Sequence, residues 1–513
     1  MRIWGFVFSI RKNLTFFGVA ASFLLAIGTI GFTPQRAEAL PSYARQTGQP
    51  CGACHTDYPS LTPFGREFKL GGYTLGGGKY QTTLFPTEAN SPKSPPPIAT
   101  KAAPAGGSSG QAATGDGAVW VPPISMMTIV GFTNTQAPQD PTGSPYHANN
   151  NVVVAPLSFL YGGAITEHIG AFAQVTYNNA PFGPQDPADP YSQFQWTWDN
   201  TDIRYANTGT IGATGITYGI TANNSPTVQD PWNSTPAWSF PYAVSSLAPT
   251  PAAGTLIDGA LAQHVVGAGG YAWIKSLLYV ELSGYGTLSP DVQPKLGADP
   301  FASPGLIDGT APYWRVALEP HWGSNWLEVG AFGMVARVHP WTFTMGPNGF
   351  YENSTFPQTD RYNDVAFDSQ YQYQGSNYWI TLRGSYINET QTLDASFPNG
   401  LSSNPSDKLN TLKLLGSLAY GDDNRIVLTG QYFDTWGTSD PLLYAGLASG
   451  LSPNSNGYIA EVAYIPFMKS AAPIWPWANV RVGLQYTYYN KFDGTAVGAQ
   501  SNNTLFLYAF YAM

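Results

Sequence analysis

The stretch VRVGLQYTY, residues 480–488, alternates strictly between two kinds of side chain. Its even-numbered positions carry Val, Val, Leu, Tyr and Tyr, whereas its odd-numbered positions carry Arg, Gly, Gln and Thr. Because successive side chains of a strand point to opposite faces, this stretch predicts a strand with one apolar and one polar face. The stretch IGAFAQVTY, residues 169–177, predicts a second strand of the same kind.

Segments of this kind recur along the chain and are joined by two classes of connection. Tight turns, such as 166–168 and 421–424, alternate with long loops, of which 223–263 is the longest. Short turns at one end and long loops at the other are typical of bacterial outer-membrane barrels. The predicted strands begin near Ser125, Val152, Ile169, Phe194, Ile216, His264, Leu277, Tyr313, Trp326, Asp364, Tyr378, Leu409, Arg425, Gly457, Val480 and Thr504.

We therefore predict an all-β fold in which residues 121–513 form an antiparallel outer-membrane barrel of about 16 strands. The last segment, TLFLYAFYAM at 504–513, is apolar and aromatic, as outer-membrane assembly signals are, although it ends in Met513 and not in an aromatic residue. The alternative is a secreted β-propeller or β-helix with a cytochrome appended. A propeller normally repeats every 40–50 residues or so, and the sequence contains no such repeat.

The composition agrees with a protein embedded in lipid. Only 11% of the 513 residues are charged, compared with about 25% in an ordinary soluble domain. This deficit argues against a typical cytosolic enzyme. The net charge of -9 argues against binding to nucleic acid, because contacts to phosphates require Lys and Arg.

The N-terminus carries the parts of an export signal. A positive region with Arg2 precedes an apolar run at 14–32, and the small residues Ala37 and Ala39 follow in the pattern of a cleavage site. We predict a cleaved signal peptide at residues 1–39 and a final location in the cell outer membrane. An uncleaved membrane anchor is the alternative, because the apolar run is long enough to span a bilayer.

The chain has two cysteines, and both lie in the motif Cys51-Gly-Ala-Cys54-His55. In an exported protein this spacing is typical of c-type haem attachment, in which both thiols bond to the haem and the histidine binds its iron. The alternatives are a redox thiol pair, a disulfide or half of a zinc site. A zinc site needs further ligands nearby, and a redox pair normally lies in a βα context; the segment has neither. The motif therefore predicts one covalent haem c held by Cys51, Cys54 and His55.

The haem segment, predicted at residues 40–84, is too short to cover a haem by itself. Its roughly 45 residues are near the lower limit for an independent domain, so we expect it to dock into something larger. The sixth iron ligand is not evident from the sequence. It is an unusual donor such as Lys69 or Lys79, a later residue such as Met126 or Met127, or absent; each methionine is more simply interpreted as wall packing.

A linker rich in Pro, Ala, Gly and Ser is predicted at residues 85–120. This composition favours a flexible, extended chain. A barrel of sixteen strands can leave an aqueous lumen. We therefore hypothesise that the haem segment plugs the barrel that follows it.

Residues 40–75, LPSYARQTGQPCGACHTDYPSLTPFGREFKLGGYTL, resemble the N-terminal haem segment of the outer-membrane cytochrome–porin fusions of iron-oxidising bacteria. The shared features are ARQTG at 44–48, the CGACH motif and LTPFGR at 61–66; NNSPTVQDPWNSTP at 223–236 is also similar. Membership implies oxidation of extracellular Fe(II), as an Fe(II):cytochrome c oxidoreductase, and electron delivery to a periplasmic c-type cytochrome or copper protein. The resemblance carries over the roles of the two cysteines and the histidine of the motif, and no distal ligand.

Other functions are compatible with the same sequence. The architecture would also serve another extracellular electron donor, such as a mineral or an electrode. It would serve equally a solute porin whose haem-bearing plug acts as a gate or sensor. A secreted soluble haem enzyme is a further alternative.

The charge content favours an acid-exposed protein. The chain has 23 Lys and Arg and 6 His, and a cleaved signal peptide would remove four of the basic residues. When acid protonates the carboxylates, repulsion among so few cations stays modest. The alternative explanation is the low charge of a lipid-facing barrel wall.

The contact site for Fe(II) is not marked by any motif. Hard oxygen ligands suit such an ion, but each candidate carboxylate is more simply a solvated or lumen residue. The candidates are Asp199, Asp202, Asp230 and Asp258. The histidines outside the motif are predicted to be turn or lumen residues: His147, His168, His264, His321 and His339.

Overall fold

A computed structural model of the chain describes residues 40–75, 121–139, 146–177, 196–345, 351–445, 451–470 and 472–513. The predicted signal peptide and linker therefore lie outside the described residues, as does Lys79.

Sixteen long strands, named β1 to β16 here, pair antiparallel in chain order, and β16 pairs with β1 to close the sheet into a barrel. The predicted fold class is confirmed, and every predicted strand start lies within four residues of the observed one. The strands are β1 (Ile124–Thr135), β2 (Asn151–Ala164), β3 (Ile169–Tyr177), β4 (Trp196–Ile211), β5 (Thr214–Asn223), β6 (Val265–Ile274), β7 (Leu278–Thr287), β8 (Ala311–Leu318), β9 (Asn325–Met345), β10 (Asp360–Gln374), β11 (Tyr378–Thr392), β12 (Ser406–Tyr420), β13 (Arg425–Gly437), β14 (Ser455–Ile465), β15 (Asn479–Lys491) and β16 (Thr504–Ala512).

The connections fall into the two predicted classes. Short turns follow β2, β4, β6, β8, β10 and β12, and the predicted turns at 166–168 and 421–424 are among them; a longer connection, 466–478, follows β14. Longer loops follow the odd-numbered strands. Short turns face the periplasm in bacterial barrels, so the start of β1 and the end of β16 are periplasmic as well. Three shorter strands extend the sheet in the connections: Gly305–Ile307, His321–Trp322 and Tyr351–Thr355.

The two faces of the barrel wall carry opposite chemistry. Large apolar side chains point outward, where Leu282 is 67% exposed and Phe367 is 56% exposed, whereas Arg204 and Arg315 point inward and are fully buried. An apolar exterior around a polar interior is what a barrel in lipid requires. The predicted outer-membrane location is therefore confirmed. Exposed aromatic residues lie near the periplasmic turns, as in an interfacial girdle: Trp322, Tyr420 and Tyr464.

Residues 40–75 form three short helices and a small hairpin, His55–Asp57 with Ser60–Leu61. The helices are α1 (Pro41–Thr47), α2 (Cys51–Cys54) and α3 (Pro63–Leu70). Helices α1 and α3 each begin with proline, which suits a first helical position because it has no N–H to leave unpaired. None of the helices in the described part of the chain is long and apolar enough to cross a membrane.

The loop between β5 and β6, residues 224–264, folds into the lumen and is called the inward loop here. Val228 and Trp232 are completely buried, although both were expected in an outer loop. Asn224, Thr227 and Asp230 are also completely buried. The loop is therefore part of the packed interior of the barrel.

A single carboxylate fastens two outer loops together. Asp440, after β13, accepts hydrogen bonds from the Ser402 hydroxyl at 2.6 Å and from the N–H groups of Ser403 and Leu443 at 2.9 Å. Burial alone would raise the pKa of Asp440, but these donors hold it well below its usual range. A pKa that is lowered in the folded state stabilises that state fully above the ordinary pKa of the group. This stabilisation is lost only as the pH falls through the lowered pKa, so the contact should persist in acid.

We expect Asp440→Asn to loosen this contact most clearly in acid. At about pH 3 the wild-type carboxylate stays charged, whereas the amide lacks that charge and one acceptor. Cleavage of the folded protein by pepsin within residues 393–405 or 438–454 should be faster by roughly tenfold. Asp394→Asn, which changes an exposed carboxylate of the same loop, should be cleaved like the wild type. Equal cleavage of all three proteins would contradict this role of Asp440.

Candidate haem site

The motif occupies one turn of helix and the residue that follows it. Cys51 and Cys54 begin and end α2, so their side chains lie on one helix face. Both thiols are free. His55 follows in extended conformation, with φ -124° and ψ 133°. The described structure therefore contains no disulfide between the two cysteines, and both sulfurs remain able to form thioether bonds.

The imidazole of His55 has an unused nitrogen. Its Nδ1 is buried and has no hydrogen-bond partner among the described residues. Burial lowers the pKa of His55 to about 4, so the ring is neutral above that pH. Neutral imidazole is the form that binds metals. A buried polar atom without a partner calls for an explanation, and a role as iron ligand would provide one here.

A cavity opens beside the motif. It encloses about 740 Å³ of empty space, including the part that is open to solvent. The lining is mostly apolar and aromatic, as a haem requires. It includes Cys51, Cys54, His55, Leu40, Tyr43, Pro50, Leu61, Phe68, Tyr73, Phe172 and Trp238. The residues present therefore fit a haem c.

The motif is held at the periplasmic end of the barrel by two turns. The N–H of Gly52 donates to the Met468 carbonyl oxygen at 2.9 Å, in the turn between β14 and β15. Arg425, the first residue of β13, donates to the carbonyl oxygens of His55 and Thr56 at 2.9 and 2.8 Å. A Cβ at position 52 would lie 3.1 Å from that same Met468 oxygen. Glycine therefore permits this close approach of the backbones.

Two arginines join the haem segment to the barrel wall. Arg481 of β15 pairs with Asp57 of the segment and with Glu461 of β14. Arg66 of α3 pairs with Glu319 in the turn after β8. All five side chains are buried. Removal of one partner would leave a buried charge uncompensated, which costs about 3–5 kcal/mol, so these pairs fix the position of the segment.

A third group of contacts surrounds the end of α3. The Tyr73 hydroxyl donates to Asp202 Oδ2 at 2.7 Å, and the same oxygen lies 2.7 Å from Arg204 Nε. The Tyr271 hydroxyl donates to the Leu70 carbonyl oxygen at 2.6 Å. The segment therefore contacts strands β4 and β6 as well as β13 and β15. Asp202 is a structural partner here and has no free position for Fe(II).

Lys69 connects the haem segment with the inward loop. Its Nζ donates to the carbonyl oxygens of Val228 and Asp230 at 2.8 and 2.7 Å and to Asn233 Oδ1 at 2.9 Å. It also lies 4.6 Å from the centre of the Trp238 ring. Burial lowers the pKa of Lys69 to about 7. All three of its protons are directed to oxygens, so Lys69 acts as a clamp and is not free to bind iron.

The methionine candidates for the sixth ligand lie in β1. Met127 packs against a cluster that includes Phe68 and Leu160, whereas Met126 lies on the opposite face of the strand. Among the described residues that line the cavity there is no methionine. The contacts of Met127 are those of wall packing, as its simpler interpretation predicts.

The remaining predicted carboxylates are apart from one another and bound to donors. Asp230 lies 3.3 Å from Arg315, Asp258 lies 2.8 Å from Lys413, and Asp199 accepts hydrogen bonds from neighbouring side chains. In the described ranges, no group of three or more His, Cys, Asp or Glu side chains is arranged to hold a metal ion. The other histidines are also scattered: His147, His168 and His321 are exposed, His264 bonds to Gln293, and His339 bonds to backbone oxygens.

Sequence reasoning did not identify the residues that hold the motif in place. Arg481 stands on the polar face of the stretch that predicts the fold, and this alternation indicates that it points inward. Its partner Asp57 lies 424 positions away along the chain. No local pattern signals a pairing over such a separation.

No protein-family model matches the chain, and a comparison with curated protein sequences finds no match. Among solved structures, OmpF of Salmonella typhi in complex with daunomycin shares 11% identity over 76% of this chain and 97% of its own, with a TM-score of 0.42. A loop-deletion mutant of OmpT of Vibrio cholerae shares 10% identity over 76% of this chain and 98% of its own, with a TM-score of 0.38. An anion-selective porin of Comamonas acidovorans also shares 10% identity over 76% of this chain and 98% of its own, with a TM-score of 0.38. Nothing about the ligands of this chain follows from similarities of this size.

Replacement of Lys69 by Met should loosen the inward loop. The substitution keeps most of the side-chain volume and leaves three buried oxygens without their donor, which should lower the free energy of unfolding by about 3 kcal/mol. Denaturant titration in detergent, followed by tryptophan fluorescence, measures this loss. Lys408→Met changes an exposed lysine and should leave the stability within about 0.5 kcal/mol of the wild type. Equal stability of the two variants would exclude the clamp.

Proposed function

We propose that this protein is an outer-membrane c-type cytochrome that takes electrons from extracellular Fe(II) and passes them to a periplasmic carrier. One observation carries the proposal. Two free thiols and a histidine with an unused buried nitrogen border a largely apolar cavity, and all three belong to a CGACH motif. This combination is expected of covalent haem attachment and has no other evident purpose inside a barrel.

The residues of the chain would hold the group and fix its surroundings. Cys51 and Cys54 would form the thioether bonds, and His55 would supply one axial nitrogen. Arg425 restrains the backbone of His55 through its carbonyl oxygen. When bound, haem c supplies a one-electron centre whose potential depends on its axial ligands, hydrogen bonds and burial.

The position of the motif suits transfer across the membrane. Its contacts with Arg425 and Met468 place it at the periplasmic turns, where Cys54 and His55 are only half-buried. The inward loop, which enters from the outer side, contributes Asn233 and Trp238 to the lining of the cavity. Each Fe(II) would lose one electron and leave as Fe(III), and a periplasmic cytochrome or copper protein would accept that electron.

Anaerobic mixing of the oxidised, purified protein with Fe(II) in acid tests this function. Rapid growth of the reduced haem α-band is expected in the wild type, because an electron donor reaches the site. His55→Ala should lose this reduction or shift the spectrum, since it removes an axial ligand. His168→Ala changes an exposed turn histidine and should behave like the wild type.

Dithionite separates the two ways in which the test can fail. Reduction by dithionite and not by Fe(II) would mean that the haem is present and that the donor is a different one. Absence of any haem band after correct export would refute the cofactor itself. Cys51→Ala removes one of the two proposed thioether bonds and so shows how the haem band looks when covalent attachment is impaired.

A solute porin with a haem-bearing plug is the second candidate, because the barrel has the sixteen strands of channel-forming porins. The buried contacts of the haem segment and the inward loop argue for an occluded lumen. Conductance in planar bilayers distinguishes the two candidates. We expect little steady conductance from the wild type; open-channel conductance at the level of a general porin would favour the second candidate.

A further inference from the structure

Two carboxylic acids face each other in the outer half of the lumen, and they are called the acid pair here. Asp364 of β10 and Glu389 of β11 are directly opposite each other in the strand register. Each is only 1% exposed. The N–H groups of two adjacent residues, Leu256 and Ile257, each reach one of the two carboxyl groups, so the carboxyl groups lie close together. A proton shared by the two groups would relieve their repulsion, because two buried carboxylates that lie close together repel each other.

The acid pair differs from the other buried acids of the lumen. Within the described residues, no Lys or Arg side chain forms an ion pair with either member. Asp364 Oδ1 is buried and accepts no hydrogen bond from any described residue. Glu281 also lacks an ion pair but accepts hydrogen bonds from three neutral donors. Three other buried carboxylates of the wall each meet a guanidinium: Asp202 meets Arg204, Asp368 meets Arg315, and Glu461 meets Arg481.

The inward loop rests directly on the acid pair. The N–H of Ile257 donates to Asp364 Oδ2 at 2.8 Å, and the N–H of Leu256 donates to Glu389 Oε2. The side chains of Leu256, Ile257 and Leu261 are buried in an apolar cluster of the wall. The acid pair thus forms the polar contacts of this loop segment, and the apolar cluster packs around them.

Other polar and titratable groups also lie near the acid pair. Asp258, in the loop segment itself, is compensated by Lys413 of β12 at 2.8 Å. Gln391 of β11 donates to Glu389 Oε1. Tyr362, Asp360 and Tyr444 complete the titratable surroundings. None of these groups supplies a cation to the pair, so a proton is the simplest means of relieving the repulsion.

We propose that the acid pair is a pH-operated latch for the inward loop. With one proton shared, the pair seats residues 255–261 in the lumen; when that proton is lost, repulsion between the two carboxylates releases them. The same loop supplies Asn233 and Trp238 to the cavity beside the motif. The latch goes beyond the function proposed above and requires neither haem nor iron.

Amide hydrogen exchange of the full-length protein in detergent tests the latch. Protection of the Leu256 and Ile257 amides, corrected for the intrinsic rate, should fall roughly tenfold or more between about pH 4 and about pH 8. Glu389→Gln should abolish this pH dependence, because an amide can donate to Asp364 without a shared proton. Protection that is independent of pH in the wild type, or equally dependent in the variant, would overturn the latch.

Two controls make the result specific. Asp360→Asn alters another buried acid of β10, one that receives N–H groups from Ala395 and Ser396, and should keep the wild-type pH dependence at residues 256 and 257. Asp364→Asn provides a second test if Glu389→Gln fails to fold. Addition of Mn²⁺ alone at about pH 8 tests whether a divalent cation, and not a proton, lies between the two carboxylates. Full protection by Mn²⁺ that a chelator reverses would replace the proton with a divalent cation and overturn the latch.

Discussion

The structure depends on one requirement, which is that every backbone N–H and C=O within the hydrocarbon layer must be paired. A sheet can meet this requirement only by closing on itself, and the pairing of β16 with β1 achieves it. Closure separates the side chains into a face toward lipid and a face toward the lumen. All polar side chains of the membrane-spanning part must then point inward, where they meet one another and whatever enters the barrel.

The lumen consequently contains an unusual density of buried charge. Burial of a guanidinium group is costly unless acceptors compensate its charge. Carboxylate partners come from both the barrel and the haem segment, as Arg481 with Glu461 and Asp57 illustrates. These pairs restrict residues 40–75 to one position. The segment is too small to enclose a cofactor by itself. Barrel strands that are distant in the sequence therefore provide its rigid surroundings.

The inward loop has the same dependence on its surroundings. Its polar backbone would be costly to bury without partners, and Lys69 supplies donors to the carbonyl oxygens of Val228 and Asp230. The acid pair accepts two of its N–H groups at the other end of the loop. The loop thus connects the outer half of the lumen with the cavity beside the motif.

Much of the architecture could be anticipated because it follows from short-range patterns. Alternation in stretches such as 480–488 gave strand positions within four residues, since the period of two is fixed by strand geometry. The inward path of residues 224–264 was not anticipated, because their polar composition is also that of an exposed loop. For the same reason, Asp230 and Asp258 were considered as contacts for Fe(II), whereas the structure pairs them with Arg315 and Lys413.

The sequence by itself determined the strands, the order of short and long connections, and the chemical character of the CGACH motif. Each of these depends on residues within about ten positions of one another, for which strand geometry and thioether chemistry set the spacing. Only the tertiary structure decided what surrounds the motif, which charges are paired and which acids face each other. These features depend on contacts between residues as far apart as Asp57 and Arg481, and such contacts exist only once the sheet has closed and forced its polar side chains into a common interior.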